Sequence, residues 1–225
     1  MGTRARRERE KEERRQSILK AAREVFFEDG FHRATVDSVA GRAEVSKGTV
    51  YLYFDSKETL LAALLLEGLS TLVDQLTAAS TSKPVVAADD QLRRIGESYL
   101  RFFQEEPQYF RLMMAMDRGR FLDSVDSTIY QQVLEASIQG LNLVVEAIER
   151  GINEDLFTCC DALQGAATLW ATLNGVLELM AHPLRQEMIG IRTEELYRIS
   201  METIIRGLQD EPLVYENDQV TREEV

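Results

Sequence analysis

Residues 35–60 read T-V-D-S-V-A-G-R-A-E-V-S-K-G-T-V-Y-L-Y-F-D-S-K-E-T-L, and this stretch decides the fold. Thr35 is a good N-cap, because its hydroxyl can accept an orphan backbone N–H. Val36, Val39, Ala40 and Ala43 follow at i, i+3, i+4 and i+7, the spacing of one helix face. Ser46 is a second N-cap, and Val50 and Phe54 beyond it fall four residues apart on one face. Asp55 or Ser56 caps a third helix, with Glu58 in its first turn, where the macrodipole favours negative charge. Helices this short do not stand alone, because nucleation is too costly, so they must pack on each other and on a neighbour. A short helix, a tight turn and a second short helix is the helix-turn-helix pattern.

The second helix has an unusual surface. Lys47, Gly48, Thr49, Tyr51 and Tyr53 lie off the face set by Val50 and Phe54, or at its edge. Lysine can meet phosphate, Thr and Tyr can donate to phosphate oxygens or touch base edges, and Gly48 lets a backbone approach closely. A recognition helix reads bases mainly with its first turns, where these residues sit. Spacing alone fits a second picture equally well, a small surface helix whose tyrosines pack on the core.

The run from Thr35 to Leu61, together with A-A-R-E-V-F-F-E-D-G-F inside Ile18–Phe31, resembles the DNA-binding domain of the TetR family of bacterial regulators. S-K-G-T-V-Y-L-Y-F followed by S-K-E is the most specific part of the likeness. The family usually has Gly where Glu44 stands, in the turn between the two short helices. A left-handed conformation there costs a non-Gly residue about 1–2 kcal/mol. The resemblance implies an all-α chain with an N-terminal three-helix helix-turn-helix domain, then a larger helical domain that binds an effector and dimerises. It also implies that Lys57 touches the DNA backbone. The position itself argues the same way: Lys57 opens a helix whose positive end suits a phosphate, where a merely structural lysine would oppose the dipole. Thr35, Lys47, Gly48, Thr49, Tyr51, Tyr53 and Lys57 are thus the expected DNA-facing set.

Charge divides the chain. Residues 1–60 carry thirteen Lys/Arg against eleven Asp/Glu, whereas the remainder carries thirteen against twenty-seven, within a total net charge of −12. An acidic body with a less acidic head can present only the head to DNA. The arm R-A-R-R-E-R-E-K-E-E-R-R, residues 4–15, holds Arg4, Arg6, Arg7 and Arg9, which could reach a minor groove. A solvated helical extension with pairs such as Glu10 and Arg14 is favoured over that role. The first core helix is expected from about Arg14 to Asp29, with Ile18, Ala22, Val25 and Phe26 buried and Gly30 as its stop. At 225 residues the chain can bury a substantial core. It lacks a run of eighteen apolar residues and the apolar stretch of a signal peptide, so a cytoplasmic protein with no membrane partner is expected.

Three domains are expected: the DNA-binding head over 1–60, a ligand-binding and dimerisation domain over 61–210, and an acidic disordered tail over 211–225. A long helix from Ser56 to about Leu76 is shared between head and body, and a loop follows from Thr77 to Asp90. Beyond it helices are expected near 92–106, 107–116, 124–152, 161–181 (stopped by Pro183) and 193–208. Phe102, Phe103, Tyr109, Phe110, Met113, Met114, Met116, Phe121 and Trp170 form an aromatic and methionine-rich set. Plain core is the better reading for most of them, but the family binds its effectors in this domain, and pockets are mostly apolar. Phe102, Phe103, Tyr109, Phe110, Met113, Trp170 and Asn174 are the expected ligand residues, with Asn142, Glu178 and His182 as further polar candidates. Ala162, Ala166, Leu169, Leu173, Val176 and Met180, with Leu196 and Ile199, suggest the paired helices that in the family form the homodimer.

The adjacent Cys159 and Cys160 cannot bridge each other without strain, and the two histidines are too distant in sequence to suggest a metal site. No Gly-rich phosphate loop, H-E-x-x-H or G-x-S-x-G occurs, so no enzyme, cofactor or metal is expected. The reading is a regulator of transcription, a repressor released from a pseudo-palindromic operator by a small hydrophobic effector. A helical binding module that has lost DNA binding is the alternative.

Overall fold

The computed structural model describes residues 3–116, 125–158 and 161–210. Phe121, the Cys159–Cys160 pair, the Met116 side chain and the tail 211–225 lie outside the description. The described residues form ten helices and no strand: α1 (Thr3–Asp29), α2 (Val36–Arg42), α3 (Lys47–Tyr51), α4 (Lys57–Ser80), α5 (Ala88–Glu105), α6 (Pro107–Met116), α7 (Ser127–Asn153), α8 (Ala162–Met180), α9 (Pro183–Ile189) and α10 (Thr193–Gln209).

The arm takes the form favoured for it in the sequence, and two other details depart from expectation. The charged arm is continuous with α1, stitched by Arg4–Glu8 and Arg6–Glu10 pairs at i, i+4; it is the helical extension. Helix α4 runs past Thr77 to Ser80, since nothing before Ser82–Pro84 breaks it. Pro183 does not merely stop α8. It opens α9, because the first position of a helix needs no N–H and its fixed φ suits the turn. Gly190, at φ 70°, ends that helix.

Packing divides the described residues into two compact units, those up to 82 with those between 95 and 143, and 83–94 with those between 144 and 210. In the first unit, Ile18, Ala22, Val25 and Phe26 of α1 meet Val39, Val50, Phe54 and the apolar face of α4. Each of the larger of these side chains, Ala22 excepted, contributes about 1.5–3 kcal/mol on full burial. Helix α4 buries Leu60, Leu61, Leu64, Leu65, Leu69 and Leu72 on several sides. By length and composition it is apolar enough to cross a membrane, but 67% of that stretch is buried inside the protein, as in a core helix wrapped by neighbours.

In the second unit α8 packs on α10. Ala166, Leu169, Leu173, Leu177 and Met180 are buried on one side, and Tyr197, Met201, Ile205 and Leu208 on the other. Gly165 allows this approach: a Cβ there would lie 3.0 Å from Leu208 Cδ2 and 3.2 Å from Ile148 Cδ1. Several residues expected to face a second subunit, Ala166, Leu169, Leu173 and Met180, are therefore core residues of their own chain. Arg93 ties α5 to α10, with Nε 2.6 Å from Glu202 Oε1 and a second nitrogen 2.6 Å from Asp89 Oδ2.

Candidate nucleic-acid interface

Three short-range caps set the helix-turn-helix. Thr35 Oγ1 accepts the Ser38 N–H at 3.1 Å, Ser46 Oγ that of Thr49 at 3.0 Å, and Ser56 Oγ that of Thr59 at 2.9 Å. Each cap satisfies an orphan donor at a helix start. In the turn between α2 and α3, Glu44 has φ 54°, the left-handed conformation that favours glycine. The turn is fastened by the Val45 N–H donating to Ala40 O at 3.0 Å. Arg42 anchors α2 on α1 through Glu24 (3.0 Å) and Glu28 (2.9 Å). Hydrogen bonding to Arg42 holds the Glu28 carboxyl below its ordinary range.

Val50 and Phe54 are fully buried, and this fixes the phase of α3. Lys47 and Gly48 are consequently exposed, Thr49 and Tyr53 are half-buried, and Tyr51 is 43% exposed. Lys47 Nζ lies 2.6 Å from Asp37 Oδ2 across the turn, and this hydrogen bond raises the lysine's pKa. The Thr49 hydroxyl shares a 2.8 Å hydrogen bond with Ser46 Oγ. Lys57 opens α4 with its ammonium 5.9 Å from the centre of the Phe26 ring. Two residues were missed in the sequence. Asp37 is ten positions from the lysine it pairs with, beyond any local rule. Leu52 is 80% exposed, although its place two residues after Val50 already puts it on the opposite side of the helix.

Among the expected effector residues, Phe102 and Phe110 are buried, and Phe103 meets Phe110 edge-on with centroids 4.9 Å apart. Met113 is half-buried against the core of the first unit. Tyr109 has other commitments. Its ring lies over Gly68 of α4, its edge meets Phe27 of α1 at 5.1 Å and 87°, and its hydroxyl donates to Glu67 Oε2 at 3.1 Å. Arg23 of α1 lies 3.6 Å from the same carboxylate. Burial pushes the Tyr109 phenol above its ordinary range. Trp170 and Asn174 belong to the second unit, Trp170 half-exposed on α8. Asn142 and His182 are exposed, and Glu178 is half-buried. Among the described residues no three His, Cys, Asp or Glu side chains group as metal ligands.

An all-helical chain whose N-terminal segment is a capped helix-turn-helix with polar residues outward is built as a DNA-binding regulator. Comparison with known proteins narrows the class. Residues 18–64 match the family described as bacterial regulatory proteins, tetR family. The chain is 35% identical over 107 residues to the transcriptional activator FasR of Mycolicibacterium smegmatis, covering 48% of each protein. It is 45% identical over 53 residues to the regulator UidR of Escherichia coli K12, covering 24% of this chain and 27% of UidR. The matches thus span about half of FasR and about a quarter of UidR. The fold matches the FadR regulator of Bacillus subtilis, solved with stearoyl-CoA, at a TM-score of 0.66 and 20% identity over 85% of this chain and 98% of that one. The N-terminal domain is thus that of the TetR family of bacterial transcriptional regulators.

Proposed function

We propose that the protein binds a pseudo-palindromic operator as a homodimer in the cytoplasm and is a repressor released by a small hydrophobic effector. The exposed surface of α2 and α3 carries this reading. Thr35, Lys47, Gly48, Thr49, Tyr51 and Tyr53 lie on or beside it, while Val50 and Phe54 hold α3 to the core. Lys57, at the start of α4, adds a cation where a phosphate would sit. One head covers one half-site, so a two-fold dimer reads a pseudo-palindrome. The outward side of α8 and α10 supports the dimer. Leu163, Trp170 and Ile199 are 54%, 52% and 50% exposed there, and Trp170 is better used in this contact than as an effector residue.

Phe102, Phe103, Phe110 and Met113 form the proposed apolar side of the effector site. The stearoyl-CoA bound by FadR supports a fatty-acyl chain as the effector class. Helix α4 is the proposed lever: Lys57 stands at its head end, and Glu67 and Gly68 meet Tyr109 of α6 further along. An effector shifts the equilibrium only by its differential affinity for the two states, and DNA must weaken effector binding by the same factor, typically about 5–150-fold.

The test selects binding sites from random duplex DNA, then titrates long-chain acyl compounds with and without the selected site. Different affinities in the two titrations support the reading, and identical ones eliminate release by this route. FasR is named an activator. Deleting the gene beside a reporter separates the two signs: transcription rises for a repressor and falls for an activator.

A further inference from the structure

We propose that Leu52 reads the 5-methyl group of a thymine in each operator half-site, setting sequence preference at a position where no hydrogen bond is made. The inference rests on the DNA-binding reading above and adds a base contact to it. Val50 and Phe54 point inward and are buried. Two residues on from Val50, a side chain has turned by about 200°, so Leu52 faces away from the core. Its backbone is not loose. Leu52 is helical at φ −70° and ψ −19°, and its N–H donates to Gly48 O and Thr49 O, each at 3.2 Å. The direction of the side chain is therefore set by the helix.

A single exposed leucine is ordinary on a protein surface. This one is 80% exposed and stands among Lys47, Thr49 and the 43% exposed Tyr51, the polar residues of the face that meets DNA. One turn before it, on the same stripe, is Gly48. A Cβ built there would meet only Ser46 Oγ, at 3.7 Å, so the stripe is open and the backbone can approach closely. Leucine offers no donor and no acceptor. Set against the hydrogen-bonding edge of any other base, it would leave a polar group desolvated and unpaired. Thymine presents the one apolar group in the major groove of unmodified DNA, its 5-methyl.

Burying one methyl is worth about fourfold in affinity, so the two half-sites of a dimer together should show about fifteenfold. The test uses the full chain and duplexes selected by it from a random pool. Each thymine of the selected site is replaced in turn by deoxyuridine, which lacks only the methyl. The expected result is one thymine per half-site whose replacement weakens the wild type about fourfold. Leu52→Ala and Leu52→Ser should bind the thymine and deoxyuridine sites equally, with unchanged melting temperatures because the side chain is exposed. If the pool is enriched but deoxyuridine weakens binding at no position, the Leu52 inference is overturned and DNA binding stands. Sensitivity that persists in Leu52→Ala overturns it too. A pool that is never enriched overturns the DNA-binding reading and this inference together.

Discussion

Gly68→Ala tests the packing that joins α6 to α4 and α1. A Cβ at position 68 would lie 2.6 Å from Cδ1, 2.8 Å from Cγ and 2.9 Å from Cβ of Tyr109. Carbon atoms in contact prefer about 3.5–4.0 Å, so the ring must retreat by about 1 Å. It has little room to do so. Phe27 meets it edge-on at 5.1 Å, and the hydroxyl is held by Glu67 at 3.1 Å. Overpacking of this kind costs about 1–3 kcal/mol, and alanine in place of glycine inside a helix returns about 0.5–1 kcal/mol. The net expectation is a loss of about 0.5–2 kcal/mol, or a fall in Tm of about 1–8 °C for a chain of this length. The sign is the sharper test. Tyr109→Gly removes both the ring and the Cβ from the contact, and in that background Gly68→Ala should stabilise by up to about 1 kcal/mol. Urea unfolding of the wild type, both single variants and the double variant gives the coupling directly, expected at about 1–3 kcal/mol. Equal effects of Gly68→Ala in the two backgrounds would falsify the packing argument.

Four shorter expectations accompany it. Glu44→Gly should stabilise by about 0.5–1 kcal/mol, because relief of the left-handed strain outweighs the entropy glycine adds to the unfolded chain; a lower Tm would contradict the turn geometry. Lys57→Ala should weaken binding to all DNA sequences about equally and lower the salt slope by about one unit, and no change in either quantity removes its phosphate role. Ile199→Glu should fold and sediment as a monomer, whereas Leu173→Glu should unfold, since Leu173 is buried against its own chain; a wild type that is monomeric at micromolar concentration counts against the dimer. In acid, the Arg93 cluster should lose its contribution to stability. Hydrogen bonding to Arg93 lowers Glu202, and at Asp89 burial pushes upward but Arg93 and backbone N–H groups prevail, so that pKa is lowered too. With folded values below unfolded ones, this stability is fully present above the unfolded carboxylate range near pH 4 and is lost as pH falls through the folded values. Arg93→Gln should flatten the acid side of a Tm-versus-pH curve, and parallel curves would show that the cluster contributes nothing.

What was legible in the sequence was local. Thr35, Ser46, Ser56 and Gly30 are caps and stops whose chemistry acts within a few residues, and each stands where the spacing placed it. The strain at Glu44 could be anticipated for the same reason. Contacts between distant segments were not legible. Periodicity marks Tyr109 as buried, but it cannot say that Gly68 and Phe27 are the neighbours. Helix α8 is apolar on both sides, so its pattern cannot rank Leu173 inward and Leu163 outward. Proline has two meanings, stop and start, and local sequence does not say that Pro183 is the first residue of α9. Leu52 went unread because an aliphatic residue is first counted toward the core.

The pairing of Lys47 with Asp37 changes what that lysine can contribute if the head docks as proposed. A cation already matched to an internal carboxylate gains only the difference between two partners when a phosphate displaces the first. The displaced Asp37 then stands on a surface facing a polyanion. An exposed pair of this kind is weak, so the exchange trims what Lys47 adds to the grip on arbitrary DNA without abolishing it. The head holds a decoy for its own cation, and the acidic remainder of the chain repels DNA in the same sense. For a head that docks as proposed, the consequence is a weaker hold on the wrong sequence, and so a shorter stay there than an unpaired lysine would give.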